Sequence, residues 1–271
     1  MDGSIDPALH EHYALGKERD RLTEARGVLE FERTKEIVLR QLPAPPSEVA
    51  DIGGGPGRYA LWLAERGHRV EHRDLMPLHV EQLRAVADPS RINVAVGDAR
   101  DLDLGDGAVD AVLLLGPLYH LRRREERLRA LREAWRVVRP GGPVFVAAIS
   151  RWAPRLDGEL RARMYESLPA FRELTPGVER TGWLPPLHPG SFSAYCHRPR
   201  QLRAELHAAG FRVLDLVAVE GVGFMLHDLD ERLAYPLDRA VVLDAARATE
   251  RVPELLGIGP HLLATAIRPE R

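Results

Sequence analysis

The chain has 271 residues, 45% of them apolar and 29% charged, with a formal net charge of -2. That composition suits a globular protein with a sizeable core and excludes collagen-like, low-complexity and wholly disordered chains. It offers no global basic field for nucleic acid or an anionic membrane, and its single cysteine, Cys196, excludes a disulfide framework and a cysteine-based zinc site.

The N-terminus, Met1-Asp2-Gly3-Ser4-Ile5-Asp6, has neither the basic nor the apolar region of a signal peptide. The longest apolar runs, around 111–115 and 143–149, are too short to span a bilayer. A soluble, cytoplasmic protein without a membrane partner is therefore expected. All but two of the 38 basic side chains, Lys17 and Lys35, are arginines, which reads as genome composition rather than a functional choice.

Residues 5–42 read as helix, with Leu29, Val38 and Leu42, and Phe31, Thr34 and Ile37, recurring at three- and four-residue spacing. Pro43-Ala44-Pro45-Pro46-Ser47 ends it, so 1–46 is expected to form a helical cap on a domain over 47–271. From there short apolar runs alternate with helical stretches. Strands are predicted over 48–52, 68–73, 92–96, 108–115 and 143–149, and helices over 58–66, 78–87 and 122–139. Residues 151–196, rich in proline and aromatics, break the rhythm and predict a lid or binding insertion. A helix over 199–209, a strand over 211–219, a helical insertion over about 221–260 and a last strand over 261–268 complete the pattern. The fold class is α/β: a Rossmann-like, seven-stranded, mostly parallel sheet with helices on both faces.

The sharpest motif is Asp51-Ile52-Gly53-Gly54-Gly55-Pro56-Gly57, between a strand and a helix. Glycines there allow φ > 0 and close approach of a ligand to the backbone, and the helix behind offers unpaired N–H groups. Asp74 ends the next strand and Asp98 the third; the fourth ends in Leu115-Gly116-Pro117-Leu118-Tyr119-His120. All four features fall at the carboxyl ends of strands, where open α/β sheets bind ligands. A nicotinamide fingerprint, Gly-x-Gly-x-x-Gly, needs a glycine where Arg58 stands.

With these residues the chain resembles the class I S-adenosylmethionine-dependent methyltransferases. The family's acidic residue and Gly-x-Gly-x-Gly are matched by Asp51, Gly53, Gly55 and Gly57, with Gly54 between them, and Arg139-Pro140-Gly141-Gly142 before the fifth strand is a further hallmark. The resemblance implies S-adenosyl-L-methionine as methyl donor and S-adenosyl-L-homocysteine as product. Asp74 with Leu75 would meet the ribose, Asp98 with Ala99 the adenine, and Leu115 would line the same site. Gly-Pro-Leu-Tyr-His-Leu at 116–121 and Leu29-Glu30-Phe31-Glu32-Arg33-Thr34 are similar to a bacterial small-molecule branch near natural-product methyltransferases. The resemblance covers about 48–150, and 197–220 and 261–268 more loosely. The chain departs from it in the long segment before the last strand.

Tyr119 and His120, beside the expected donor, are candidates for positioning the acceptor, with His120 as general base; packing and helix capping are their structural alternative. Arg33 suits a carboxylate of the donor, and Tyr13 would close the same end. His188, Tyr195, His197 and Glu220 are further residues within possible reach. His68 and His72 lie too far apart along a strand, and His10 and His12 stand alone, so no metal is expected. In Arg122-Arg123-Arg124-Glu125-Glu126-Arg127, pairs Arg122–Glu126 and Glu125–Arg129 predict a solvated helix face rather than a nucleic-acid patch. The expectation is methylation of a small-molecule acceptor in secondary metabolism, without nucleic acid, by a chain that can form a homodimer. Two alternatives remain open: a non-methylating cyclisation or rearrangement on the same fold, and methylation of RNA or protein.

Overall fold

The computed structural model describes Tyr13, Glu18, Leu22 and residues 25–188 and 191–270. Five parallel strands form its centre: β1 (Glu48–Ile52), β2 (Arg69–Asp74), β3 (Ile92–Val96), β4 (Ala111–Leu114) and β5 (Pro143–Ser150), in the order β3-β2-β1-β4-β5. Every residue of β4 is buried, as a strand covered on both faces must be. It is shorter than the apolar run predicts: Val109 forms an isolated bridge with Val138, and Leu115 lies beyond the strand's end.

Beyond β5 the sheet changes direction. β9 (His261–Ile267) runs antiparallel to β5, and β8 (Arg212–Ala218) antiparallel to β9. These seven strands are the mostly parallel sheet that the sequence predicts. A hairpin of β6 (Trp183–Leu184) and β7 (Ala194–His197) adds to it: β7 pairs parallel with Ile149 and Ser150. Ile149 also pairs with His261 on β9, so β7 uses the other edge of β5, above the point where β4 has ended. The first insertion therefore enters the sheet instead of only lying over it. The rest of it forms a π-helical turn at Pro154–Arg161 and a helix at Ala170–Thr181.

The helices Arg124–Val137 and Pro199–Ala208 cover one face through Leu128, Leu131, Leu202 and Leu206. Ala25–Leu39, Arg58–Glu65 and Pro77–Arg84 cover the other through Ile37, Val38, Leu63 and Leu83. No described helix is long and apolar enough to cross a membrane. Of the helix expected over 5–42, the part before residue 25 lies outside the described residues apart from the three named, as do His10 and His12.

The second insertion is helical, with Leu229–Ala234 and Pro236–Thr249 packed on the N-terminal helix through Leu29, Leu229 and Val242. Arg33 belongs to this contact and not to a ligand site. It is fully buried, its guanidinium pairs with Glu36 and Glu250, and its Nε donates to the Val219 carbonyl at 3.3 Å. Every nitrogen of its fork thus has a partner, within its own helix at Glu36, beyond β8 at Val219 and at the end of Pro236–Thr249 at Glu250, in place of the expected donor carboxylate.

Candidate functional site

The chain leaves β1 at Ile52 and turns through Gly53 to Gly57 into the helix Arg58–Glu65. Gly53, Gly55 and Gly57 have φ of 64°, 58° and 84°, values that glycine alone adopts without strain. Their missing side chains serve different ends. A Cβ on Gly53 would lie 2.4 Å from Pro117 Cγ, and one on Gly57 2.5 Å from the Leu83 methyls; on Gly55 the nearest atom would be Glu18 Cγ at 3.8 Å. Gly55 thus faces open space. Gly57 lets the helix Pro77–Arg84 pack close and does not line the cavity, so its expected ligand contact is replaced by a packing role.

A cavity of about 350 Å³ opens over this loop. Gly53, Gly54, Gly55 and Asp51 line it at the end of β1, Asp74 and Leu75 at the end of β2, Asp98 and Ala99 after β3, and Leu115 after β4. Tyr13, Tyr119 and His120 close it. Gly53→Ala is expected to force either the loop or Pro117 to move and to strain a left-handed backbone, at about 1–3 kcal/mol. Thermal melts should show the loss, and calorimetry should show at least a tenfold weaker ligand affinity.

The three acids differ in environment. Asp51 is 1% exposed, and among the described residues neither carboxylate oxygen has a hydrogen bond of ordinary geometry. Burial, with the Asp74 charge beside it, pushes its carboxyl up to about 7, and the Ala60 amide only partly offsets this. Asp74 is also buried, which alone would raise it. Its Oδ1 accepts from His79 Nδ1 at 3.0 Å and the Met76 amide at 2.8 Å, and its Oδ2 from the Gly55 amide at 2.8 Å. These bonds hold Asp74 below the usual carboxylate range. Beneath the same loop His72 Nε2 donates to the Gly55 carbonyl at 3.0 Å, and burial lowers its imidazole to about 4.

Asp98 is half-buried, and its partner is Arg100. Nη2 donates to Oδ2 at 2.7 Å, Nε to both oxygens at 3.0 Å, and the Arg100 amide to Oδ1 at 2.9 Å. Against the burial penalty these bonds keep Asp98 ionised below its usual range. Arg100 reaches Glu126 as well, at 3.3 Å.

The opposite wall is aromatic. Tyr119 and His120 stand on the short helix Pro117–His120 after β4. The Tyr13 hydroxyl and His120 Nε2 share a hydrogen bond of 2.8 Å. The His120 ring meets those of Tyr13, Tyr119 and Phe192 edge-on at 5.5, 4.6 and 5.7 Å. Trp183, from the first insertion, also lines the cavity, with the Arg122 guanidinium 5.2 Å from its ring. The helix begins only at Arg124, so Arg122 turns to the cavity and Glu126 pairs with Arg100 in place of the predicted Arg122–Glu126 pair.

His188, Tyr195, His197 and Glu220 do not line this cavity. Tyr195 packs its ring 3.6 Å from the Arg127 guanidinium, and His197 bonds Glu205 at 3.2 Å. Glu220 bonds His261, and with Glu30 the two bring ligand-type atoms within 4.8 Å of one another, a trio that chain spacing did not reveal. Sequence reasoning also missed His79 and Arg100. Their signal was short-range: a histidine five residues after Asp74 and an arginine two after Asp98.

A family model described as a methyltransferase domain matches residues 50–146. A demethylmenaquinone methyltransferase of Deinococcus radiodurans is 30% identical over 180 residues, which cover 62% of this chain and 68% of that protein. An uncharacterized methyltransferase of Mycobacterium bovis is 38% identical over 101 residues, or 37% of this chain. The chain spans 39% of that relative's length. Among solved structures, an S-adenosylmethionine-dependent methyltransferase of Thermotoga maritima superposes with a TM-score of 0.61 at 19% identity, over 96% of this chain and 99% of that one. At that identity the likeness is one of fold.

Proposed function

The chain belongs to the class I S-adenosylmethionine-dependent methyltransferases, and from that membership we propose that it methylates a small organic acceptor and releases S-adenosylhomocysteine. The observation that carries the reading is the cavity at the ends of β1 to β4, with carboxylates along one side and aromatic rings along the other. Its residues fit the donor. Gly55 leaves the space that a Cβ would fill, and the unpartnered Asp51 carboxylate supplies negative charge for an ammonium. Asp74 retains acceptor capacity for ribose hydroxyls, and Asp98 with Ala99 and Leu75 would border the adenine.

When bound, the donor supplies an electrophilic methyl on a sulfonium, open to in-line displacement. The protein's own part is placement and the exclusion of water, which in well-oriented cases lower a barrier by about 7–11 kcal/mol. Tyr119 and Trp183, with Phe192 packed behind the Tyr119 and His120 rings, suit a flat, apolar acceptor. His120, bonded to Tyr13, stands on that wall to accept a proton where the attacking atom carries one. The Deinococcus relative's quinone-directed name supports an aromatic acceptor, and a role in bacterial secondary metabolism is part of the same reading.

Calorimetric titration with S-adenosylmethionine, S-adenosylhomocysteine and NADH tests the donor. Micromolar binding of the first two without the third is the expected result, and silence from both adenosyl ligands overturns the reading. Tritiated methyl transfer to a small-molecule extract, and not to bulk tRNA or protein, tests the acceptor class. A ligand-binding protein that never accumulates S-adenosylhomocysteine with any acceptor would instead fit a rearrangement on this fold.

A further inference from the structure

His79 is a buried polar residue of the cavity that the donor reading leaves without a task. It lines the cavity, is 2% exposed, and sits in the first turn of Pro77–Arg84. Its Nδ1 lies 3.0 Å from Asp74 Oδ1, and bonding to a carboxylate requires the proton on Nδ1. Nε2 is then left over: among the described residues it is buried without a hydrogen-bond partner, and the ring meets that of Tyr13 edge-on at 5.1 Å. An orphaned buried nitrogen is unfavourable, and a leucine would fill the same space without one. What the histidine adds is the bond to Asp74.

We infer that His79 is a positioning residue for the donor nucleoside, fixing the Asp74 carboxylate so that Oδ2 keeps its acceptor capacity for a ligand hydroxyl. Asp74 Oδ1 already accepts two hydrogen bonds, from His79 and Met76, whereas Oδ2 accepts one, from Gly55. Each carboxylate oxygen has two lone pairs, so the remaining capacity lies on Oδ2. Without His79, Oδ1 would have a vacant lone pair, and the carboxylate would be freer to rotate and less stabilised against the nearby Asp51 charge. The inference rests on the methyltransferase reading and assigns a residue for recognising the vicinal diol of the donor.

The test is calorimetric titration of S-adenosylhomocysteine into the wild type, His79→Leu, His79→Asn, Asp74→Asn and the double variant His79→Leu/Asp74→Asn. His79→Leu should weaken binding about tenfold. His79→Asn, whose amide can donate from nearly the place of Nδ1, should recover most of that loss. The double variant should bind no more weakly than Asp74→Asn alone, since His79 acts through Asp74; a packing role would make the two losses additive. Wild-type affinity in His79→Leu, no recovery in His79→Asn, or additive losses each overturn the inference while leaving the donor assignment intact. A wild type that does not bind the ligand overturns both.

Discussion

Replacing Asp51 by asparagine is expected to stabilise the ligand-free protein at pH 8 and, at the same time, to weaken its binding of S-adenosylmethionine at least tenfold. Both effects follow from one carboxylate with no hydrogen-bond partner, buried beside Asp74, with its carboxyl pushed up from 3.8 to about 7. A group whose folded pKa lies above its unfolded value favours folding only when protonated. Its contribution is full below the unfolded value and is lost as pH rises from about 4 through 7. The loss is worth a few kcal/mol by linkage, and relaxation together with the asparagine's own burial leaves about 1–3 kcal/mol to be gained. Melting curves should show Tm at pH 8 higher by about 2–12 °C, and the gain should vanish near pH 5. Binding moves the other way. A cation placed in the cavity favours the ionised carboxylate, so wild-type affinity should rise between pH 6 and 8 with uptake of the ligand accompanied by proton release. In the variant that pH dependence should disappear. An asparagine variant that binds as the wild type does, with the same pH profile, would remove Asp51 from donor recognition.

That site was legible in the chain to the extent that it is made of backbone. Strand ends at Ile52, Asp74 and Val96 follow from apolar runs punctuated by glycine and acid, and the structure places those ends side by side. The glycine loop was equally visible, because glycine adopts the φ values found at Gly53 and Gly55 at the least cost. Gly57 shows where such reading stops. Its left-handed φ makes it resemble its neighbours, yet the reason for it is Leu83 on another helix, a contact that spacing along the chain does not encode.

Side-chain pairing was less legible. Arg33 was read as a donor contact because a guanidinium suits a carboxylate, but its partner Glu250 lies 217 residues away, in the second insertion. The aromatic-rich segment 151–196 predicted a lid, and its proline content concealed that β7 would pair with the end of β5. A four-residue strand with a polar end, Ala194–His197, has too little alternation to be recognised. Its role became clear only through the buried pair Arg127–Glu205, which binds that hairpin to the turn after His120.

Removing this pair's guanidinium should be the most damaging single change in the protein. Arg127 is 2% exposed and Glu205 4% exposed. Nε and Nη2 grip the carboxylate at 2.9 and 2.7 Å, Nη1 donates to the carbonyls of Leu121 and Arg122 at 2.9 and 2.8 Å, and the Tyr195 ring lies against the fork at 3.6 Å. His197, kept neutral by burial, adds a bond to Glu205 at 3.2 Å. Burial alone would raise the Glu205 carboxyl, but the bonds from His197 and Arg127 hold it near 2. Arg127→Met leaves that charge buried and half-partnered, and two carbonyls beside the cavity unsatisfied. The expected loss is about 3–5 kcal/mol, seen as a fall in Tm of about 6–20 °C. Arg127→Met/Glu205→Leu should recover much of it, because an apolar pair leaves no stranded charge. The sign of the pH effect is opposite to that of Asp51. A depressed carboxyl stabilises above its unfolded value near 4.5 and ceases to do so as pH falls toward 2, so the gap between wild type and Arg127→Met should close in acid. On the proposed reading the loop that carries Leu121 and Arg122 would border the acceptor, whereas the donor would rest on the ends of β1 to β3. S-adenosylhomocysteine affinity, measured below the variant's Tm, should therefore stay within about threefold of wild type. A loss of donor binding as large as the loss of stability would mean that the two halves of the cavity fold as one unit.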